Sequence, residues 1–211
     1  MELAAPLNSE LPSVAVAGGW AAIESLLTGP GDDTRVLAAD RMAAITACSF
    51  CRAELTALSY KLEDQGGETA ERLNACTTNR NRAAILADMI RNRTPPTFPK
   101  PSDAAALARV SALLSNPSAV LRDIESHISV AFRRLYRHRN MVLHWGKTDA
   151  VGLKSCLRAA APLVGAGLDR IAHAWFVEKC DPLELAARAE LRLSTVGGSS
   201  AYSPLDLLES V

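Results

Sequence analysis

Arg133-Arg134-Leu135-Tyr136-Arg137-His138-Arg139-Asn140-Met141-Val142-Leu143-His144-Trp145-Gly146 decides how this chain reads. Arg133, Arg134, Arg137, His138 and Arg139 crowd five basic or titratable side chains into seven positions. The run then turns apolar and closes on a histidine and a glycine. Upstream, Asn116-Pro117 has the chemistry of a helix start: asparagine caps free N–H groups, and proline at the first helical position gives up no needed donor. No further proline or glycine intervenes before Gly146, a residue suited to a C-terminal stop. The spacing predicts one long helix over Pro117–Trp145. At roughly 100° per residue Leu121, Ile124, Ile128, Phe132, Leu135 and Val142 share a face.

Arg139 falls in the middle of that apolar face. A guanidinium there needs a partner or a cleft, because a buried unpaired charge is costly. His144, five positions on, lies about 140° round an ideal helix from Arg139. The two side chains do not converge within one regular helix; unwinding of the last turn near Gly146 would bring them together, and so would pairing of two copies of the helix across a two-fold axis.

Arg139-Asn140-Met141-Val142-Leu143-His144 matches the R-N-x-x-x-H form of the R-x4-6-H motif, and so resembles HEPN domains, small helical bundles of prokaryotic toxins and defence effectors. Leu135-Tyr136-Arg137-His138 before it and Trp145-Gly146 after it resemble the ApeA-like branch. Gly19-Trp20-Ala21-Ala22-Ile23-Glu24-Ser25-Leu26-Leu27 resembles the first helix of that branch. The resemblance implies a metal-independent endoribonuclease, a toxin or antiphage effector with its site composed at a homodimer interface. It implies His144 as general acid or base, Arg139 as stabiliser of the phosphorane, and Asn140 as the orienting polar residue. RNA is the implied partner, with Arg133, Arg134, Arg137, His138 and Lys147 as the basic track. An antitoxin or sensor domain would control it, and no cofactor or metal is implied. The alternative is a non-catalytic module of the same fold that binds RNA or a partner protein. The residue types suit the chemistry: histidine titrates near neutral pH, and a fixed cation stabilises developing charge.

The rest of the chain reads as scaffold. Its 211 residues suffice for one sizeable core, expected over 14–211 behind a flexible segment or linker at 1–13. With 23 basic and 23 acidic residues the net charge is zero, so no global field draws nucleic acid and any basic surface is local. A second basic group comprises Arg80, Arg82, Arg91, Arg93 and Lys100, read as a solvated helix end in preference to an RNA track. Five cysteines, an odd number, argue against a secreted disulfide framework. Cys48-x-x-Cys51 lacks a fourth ligand for structural zinc and reads as core thiols. No signal peptide and no membrane span is evident, so a cytoplasmic protein is expected.

A first helix is expected over Val14–Leu27. Trp20, Glu24 and Leu27 lie close in angle, which makes Glu24 an inward carboxylate and a candidate partner for Arg139 or another motif arginine. A second helix runs to about Glu63, started by Asp32, Asp33 or Thr34. A third runs from Glu68 to Arg91. Thr94–Pro101, with four prolines in eight residues, is an extended connector. A helix from Ser102 to Ser115 precedes the motif helix. After Gly146 another begins at Thr148 or Asp149, bent near Pro162 or Gly165-Ala166-Gly167, with Trp175 and Phe176 on its apolar face and His173 packed. Asp181-Pro182-Leu183-Glu184 is a capping box for a helix to about Leu193. No period-two alternation supports a sheet. The fold expected is an all-α, HEPN-like bundle of six or seven helices.

Overall fold

The chain is all-helical. A computed structural model describes residues 7, 9–146, 148, 152–198 and 202–209. Among them are eight α-helices: α1 (Pro12–Leu27), α2 (Leu37–Glu63), α3 (Glu68–Asn74), α4 (Asn79–Arg91), α5 (Pro101–Ser115), α6 (Pro117–Trp145), α7 (Gly152–His173) and α8 (Pro182–Thr195). A π-helical turn, Ala174–Glu178, follows α7. None of the described helices is long and apolar enough to cross a membrane.

The helix count exceeds the expectation because the Glu68–Arg91 segment is two helices. α3 ends at Asn74, and Thr78 begins α4 by accepting a hydrogen bond at Oγ1 from Asn81 N. A threonine side chain that satisfies a free N–H is a helix start wherever it falls. The motif helix α6 has the expected bounds. α1 opens at Pro12, two residues earlier than expected, so part of the supposed linker is helical.

The chain divides into two compact units. One comprises Met1–Ala47, Asp123–Leu191 and Ser210–Val211. Here α1 packs on α7, and Trp20, Ile23, Leu27, Met42, Ile45, Phe132 and Leu135 are fully buried. Gly167 is a crossing glycine: a Cβ there would stand 2.5 Å from Met42 Sδ and 3.0 Å from Thr46 Oγ1. α7 runs through Pro162 without interruption.

The other unit comprises Cys48–Arg122 and Arg192–Glu209. Arg82, which the sequence places with a basic surface group, is buried here at 6% exposed. Its guanidinium donates to Ser59 Oγ (3.1 Å), to Leu73 O (2.9 Å) and to Glu63, and lies 4.0 Å over the Tyr60 ring. Arg80 is likewise spent, on both oxygens of Asp206 at 2.7 Å. The segment 202–209 docks through buried Leu205, Leu207 and Leu208. Cys48 and Cys51 are buried free thiols, and burial pushes Cys51 up to about 12, so it stays protonated. Arg82→Met, which keeps the stem and removes the head, is expected to cost about 3 kcal/mol, because it orphans buried acceptors. A urea denaturation midpoint within error of wild type would contradict that role.

Candidate functional site

The site is built around one carboxylate in the first unit. Trp20 is fully buried on α1 and donates its indole N–H to Glu24 Oε2 at 2.8 Å. The two residues are four apart on the helix, so the bond follows from local geometry. Tyr136, on α6, leans on the Trp20 ring with centroids 4.7 Å apart and planes at 45°. This places α6 so that Arg139, three positions further on, reaches Glu24. Its NH2 lies 3.5 Å from Glu24 Oε2, and its NH1 donates to Asn140 Oδ1 at 3.0 Å. The Arg139 side chain is 24% exposed and that of Glu24 21%. The arginine on the apolar face thus has the partner that burial demands, and Glu24 is that partner. Arg35, after α1, approaches the other oxygen: its Nε is 3.5 Å from Glu24 Oε1.

His144 does not join this cluster within the chain. α6 stays helical through Trp145 and stops at Gly146, whose φ of +60° suits glycine. The last turn does not unwind, so the five-residue step leaves His144 about 140° round from Arg139. His144 is exposed.

The basic track is sorted by its partners. Arg133 is held on Asp40, donating from Nε at 3.0 Å and from NH2 at 2.7 Å, and Ser129 Oγ donates to the same carboxylate at 2.7 Å. Arg134 and Arg137 are exposed. Lys147 lies outside the described residues. His138 is half-buried against the start of α7: a Cβ on Gly152 would stand 2.8 Å from its Cε1. Its Nδ1 is buried without a partner among the described residues. Burial, then the charges of Arg134 and Arg137, lower its pKa below the ordinary 6.5 and favour the neutral ring. Of the basic run, Arg134 and Arg137 are thus exposed, Arg133 is paired with Asp40 and His138 is packed.

The His138 shift sets a pH dependence. Between the lowered folded value and 6.5 the unfolded chain holds more protons, so stability falls as pH drops below 6.5. His138→Gln is expected to flatten that fall, measured as urea midpoints above and below pH 6.5. An unchanged slope would contradict it.

Arg35 and Asp40 carry no local sequence signal for these contacts: Arg35 sits between helices, and Asp40 is 93 positions from Arg133. The end of α7 differs from expectation. Trp175, Phe176 and Val177 are 51%, 66% and 66% exposed, because the π-helical turn rotates them off the apolar face. His173 is exposed, not packed, with Nδ1 3.6 Å from Glu178.

Beside Glu24 opens a recess of ≈ 650 Å³ lined by α1 and the segment after it, including Glu24, Ser25, Thr28, Gly29, Asp32 and Arg35. Asp32 is neutralised there. Arg41 donates to both its oxygens, at 2.5 and 2.8 Å, and Gly29 N donates at 2.7 Å. The Arg41 hydrogen bonds, then Gly29, hold the carboxyl down at about 2. Among the described residues no group of histidines, cysteines and carboxylates is arranged to hold a metal ion. No family model, no curated protein and no solved structure matches this chain.

Proposed function

We propose that the chain is a metal-independent endoribonuclease of the HEPN type, a toxin or antiphage effector working in the cytoplasm, with its site composed between two copies. What supports this reading is the fixing of Arg139. Two parts of the resemblance, Trp20 with Glu24 on the first helix and the Arg139-Asn140 pair on the motif helix, lie far apart in sequence and are joined by hydrogen bonds and an ion pair. A guanidinium oriented in advance by a carboxylate and an amide stabilises charge without reorganising as the charge appears.

The reaction this suits is transesterification. The ribose 2′-oxygen attacks the phosphorus, the bond to the 5′-oxygen breaks, and a 2′,3′-cyclic phosphate and a 5′-hydroxyl result. One proton leaves the 2′-hydroxyl and one reaches the 5′-oxygen. His144 of the second copy accepts the 2′-hydroxyl proton and returns a proton to the departing 5′-oxygen. Arg139 faces the phosphorane oxygens. Arg134 and Arg137 contact flanking phosphates, which position the strand without reading its sequence.

The non-catalytic alternative draws on the same ion pair, since Glu24 gives Arg139 a structural partner whether or not RNA is cut. Incubation with total RNA in EDTA separates the two. The nuclease cuts and His144→Ala does not; the binding module leaves RNA intact at any concentration. An antitoxin or sensor domain would be the controlling partner of the nuclease.

A further inference from the structure

Glu24 marks a point where two cations converge. Arg35 approaches one of its oxygens and Arg139 the other, both at 3.5 Å. Charge-assisted contacts close to about 2.7–2.9 Å when fully made, so neither guanidinium is used up by the carboxylate. The Arg35 side chain is 60% exposed and stands at the recess beside Glu24.

The chemistry of that recess narrows what fits it. At ≈ 650 Å³ it lies within the range of small-ligand pockets, about 300–1,000 Å³. No aromatic side chain lines it, and Trp20 is fully buried, so it offers no platform on which a base could stack. Its lining sets the Ser25 and Thr28 hydroxyls and three charged side chains beside Ala21, Gly29 and Pro30. Thr28 Oγ1 is buried with no partner among the described residues and lines this recess. An unmet buried hydroxyl costs free energy that a ligand oxygen recovers. The carboxylates do not repel an anion: Asp32 is held by Arg41, and Glu24 lies between Arg35 and Arg139.

We propose that this recess seats the sugar–phosphate backbone of the RNA strand next to the scissile phosphate. Arg35 is a second phosphate-binding cation, and the Thr28 hydroxyl donates to a ribose oxygen. The proposal rests on the nuclease reading for its substrate. It adds a contact surface on the opposite side of Glu24 from Arg139, and recognition there is blind to base identity. On binding, Arg35 exchanges Glu24 for a phosphate oxygen, while Glu24 keeps Trp20 and Arg139.

The test measures binding apart from cleavage. Labelled homopolymeric RNAs of equal length are titrated in EDTA into the His144→Ala chain and into the same chain carrying Arg35→Ala, Arg35→Lys or Thr28→Val. Arg109→Ala, an exposed arginine paired with Glu54, is the control for general charge loss. Arg35→Ala is expected to weaken binding about tenfold and to lower the salt slope by about one, equally for every base. Arg35→Lys is expected to recover most of that, Thr28→Val to weaken binding about threefold, and Arg109→Ala to change nothing. Circular dichroism checks that each variant is folded. Unchanged binding by Arg35→Ala, a loss that depends on the base, or no RNA binding by the His144→Ala chain would overturn the proposal. So would a free 5′-mononucleotide that competes as well as the strand, since the recess would then serve a small ligand. The two readings fail separately. Wild type that binds RNA with the Arg35 dependence but never cuts it removes the nuclease and leaves the seat. Wild type that cuts RNA with an unchanged KM in Arg35→Ala removes the seat alone.

Discussion

Replacing His144 by alanine is expected to lower RNA cleavage about a thousandfold, the scale at which a positioned acid or base contributes. His144 is exposed at the end of α6, so its loss leaves the core untouched and the helical circular dichroism unchanged. Arg139→Ala is expected to do comparable damage to the rate, about 10²–10³-fold as for loss of a fixed electrostatic stabiliser. It differs in one respect. Removing Arg139 leaves Glu24 with Trp20 and the exposed Arg35, so a carboxylate 21% exposed loses its inner counter-charge and stability falls too. Arg139→Lys keeps the charge but loses the planar fork, and should recover stability ahead of activity. Cleavage of total RNA at wild-type rate by either alanine variant would end the nuclease reading, with the fold still standing.

The second large effect is on stability. Trp20→Ala is expected to cost about 4 kcal/mol, the usual toll of emptying a fully buried tryptophan site. For a chain of this length that amounts to a fall of roughly 10 °C in Tm. The effect exceeds that of an ordinary core truncation for a physical reason: the Tyr136 ring loses its neighbour and Glu24 loses its donor in the same change. Trp20→Phe separates the two, keeping a ring for Tyr136 while removing only the N–H. It should cost about 2 kcal/mol and weaken cleavage through the loosened Glu24, mostly in kcat. Equal melting temperatures for wild type and Trp20→Ala would contradict the packing described.

Much of this arrangement could be read from residues alone, where the cause is local. α6 has the bounds that Asn116-Pro117 and Gly146 imply, because start and stop chemistry act within a turn of themselves. The inward turn of Glu24 follows from its angle to Trp20 and Leu27, and an arginine on an apolar face demands such a partner. Local cause also explains two errors. Thr78 caps a new helix inside a segment whose spacing looks continuous, and the widened turn at Ala174–Glu178 rotates Trp175 and Phe176 into solvent with no signal in their spacing. What lay beyond reach was set by distant pairing. Arg133 is paired with Asp40, 93 positions away, while its side chain stays 51% exposed, and Arg82, which the sequence groups with surface cations, is buried. Charges near each other in sequence share a patch only when no carboxylate from elsewhere takes them first.

The central claim is that Arg139 of one copy and His144 of another form one site. Mixing the two dead variants tests it most directly. Arg139→Ala and His144→Ala chains are purified, mixed in equal amounts, allowed to exchange subunits, and assayed on RNA. If the site is shared across a two-fold axis, half the dimers are mixed and each carries one site with both groups intact. Activity should then return to about one quarter of wild type. A mixture as inactive as either variant alone, under conditions where exchange is demonstrated, would contradict the account.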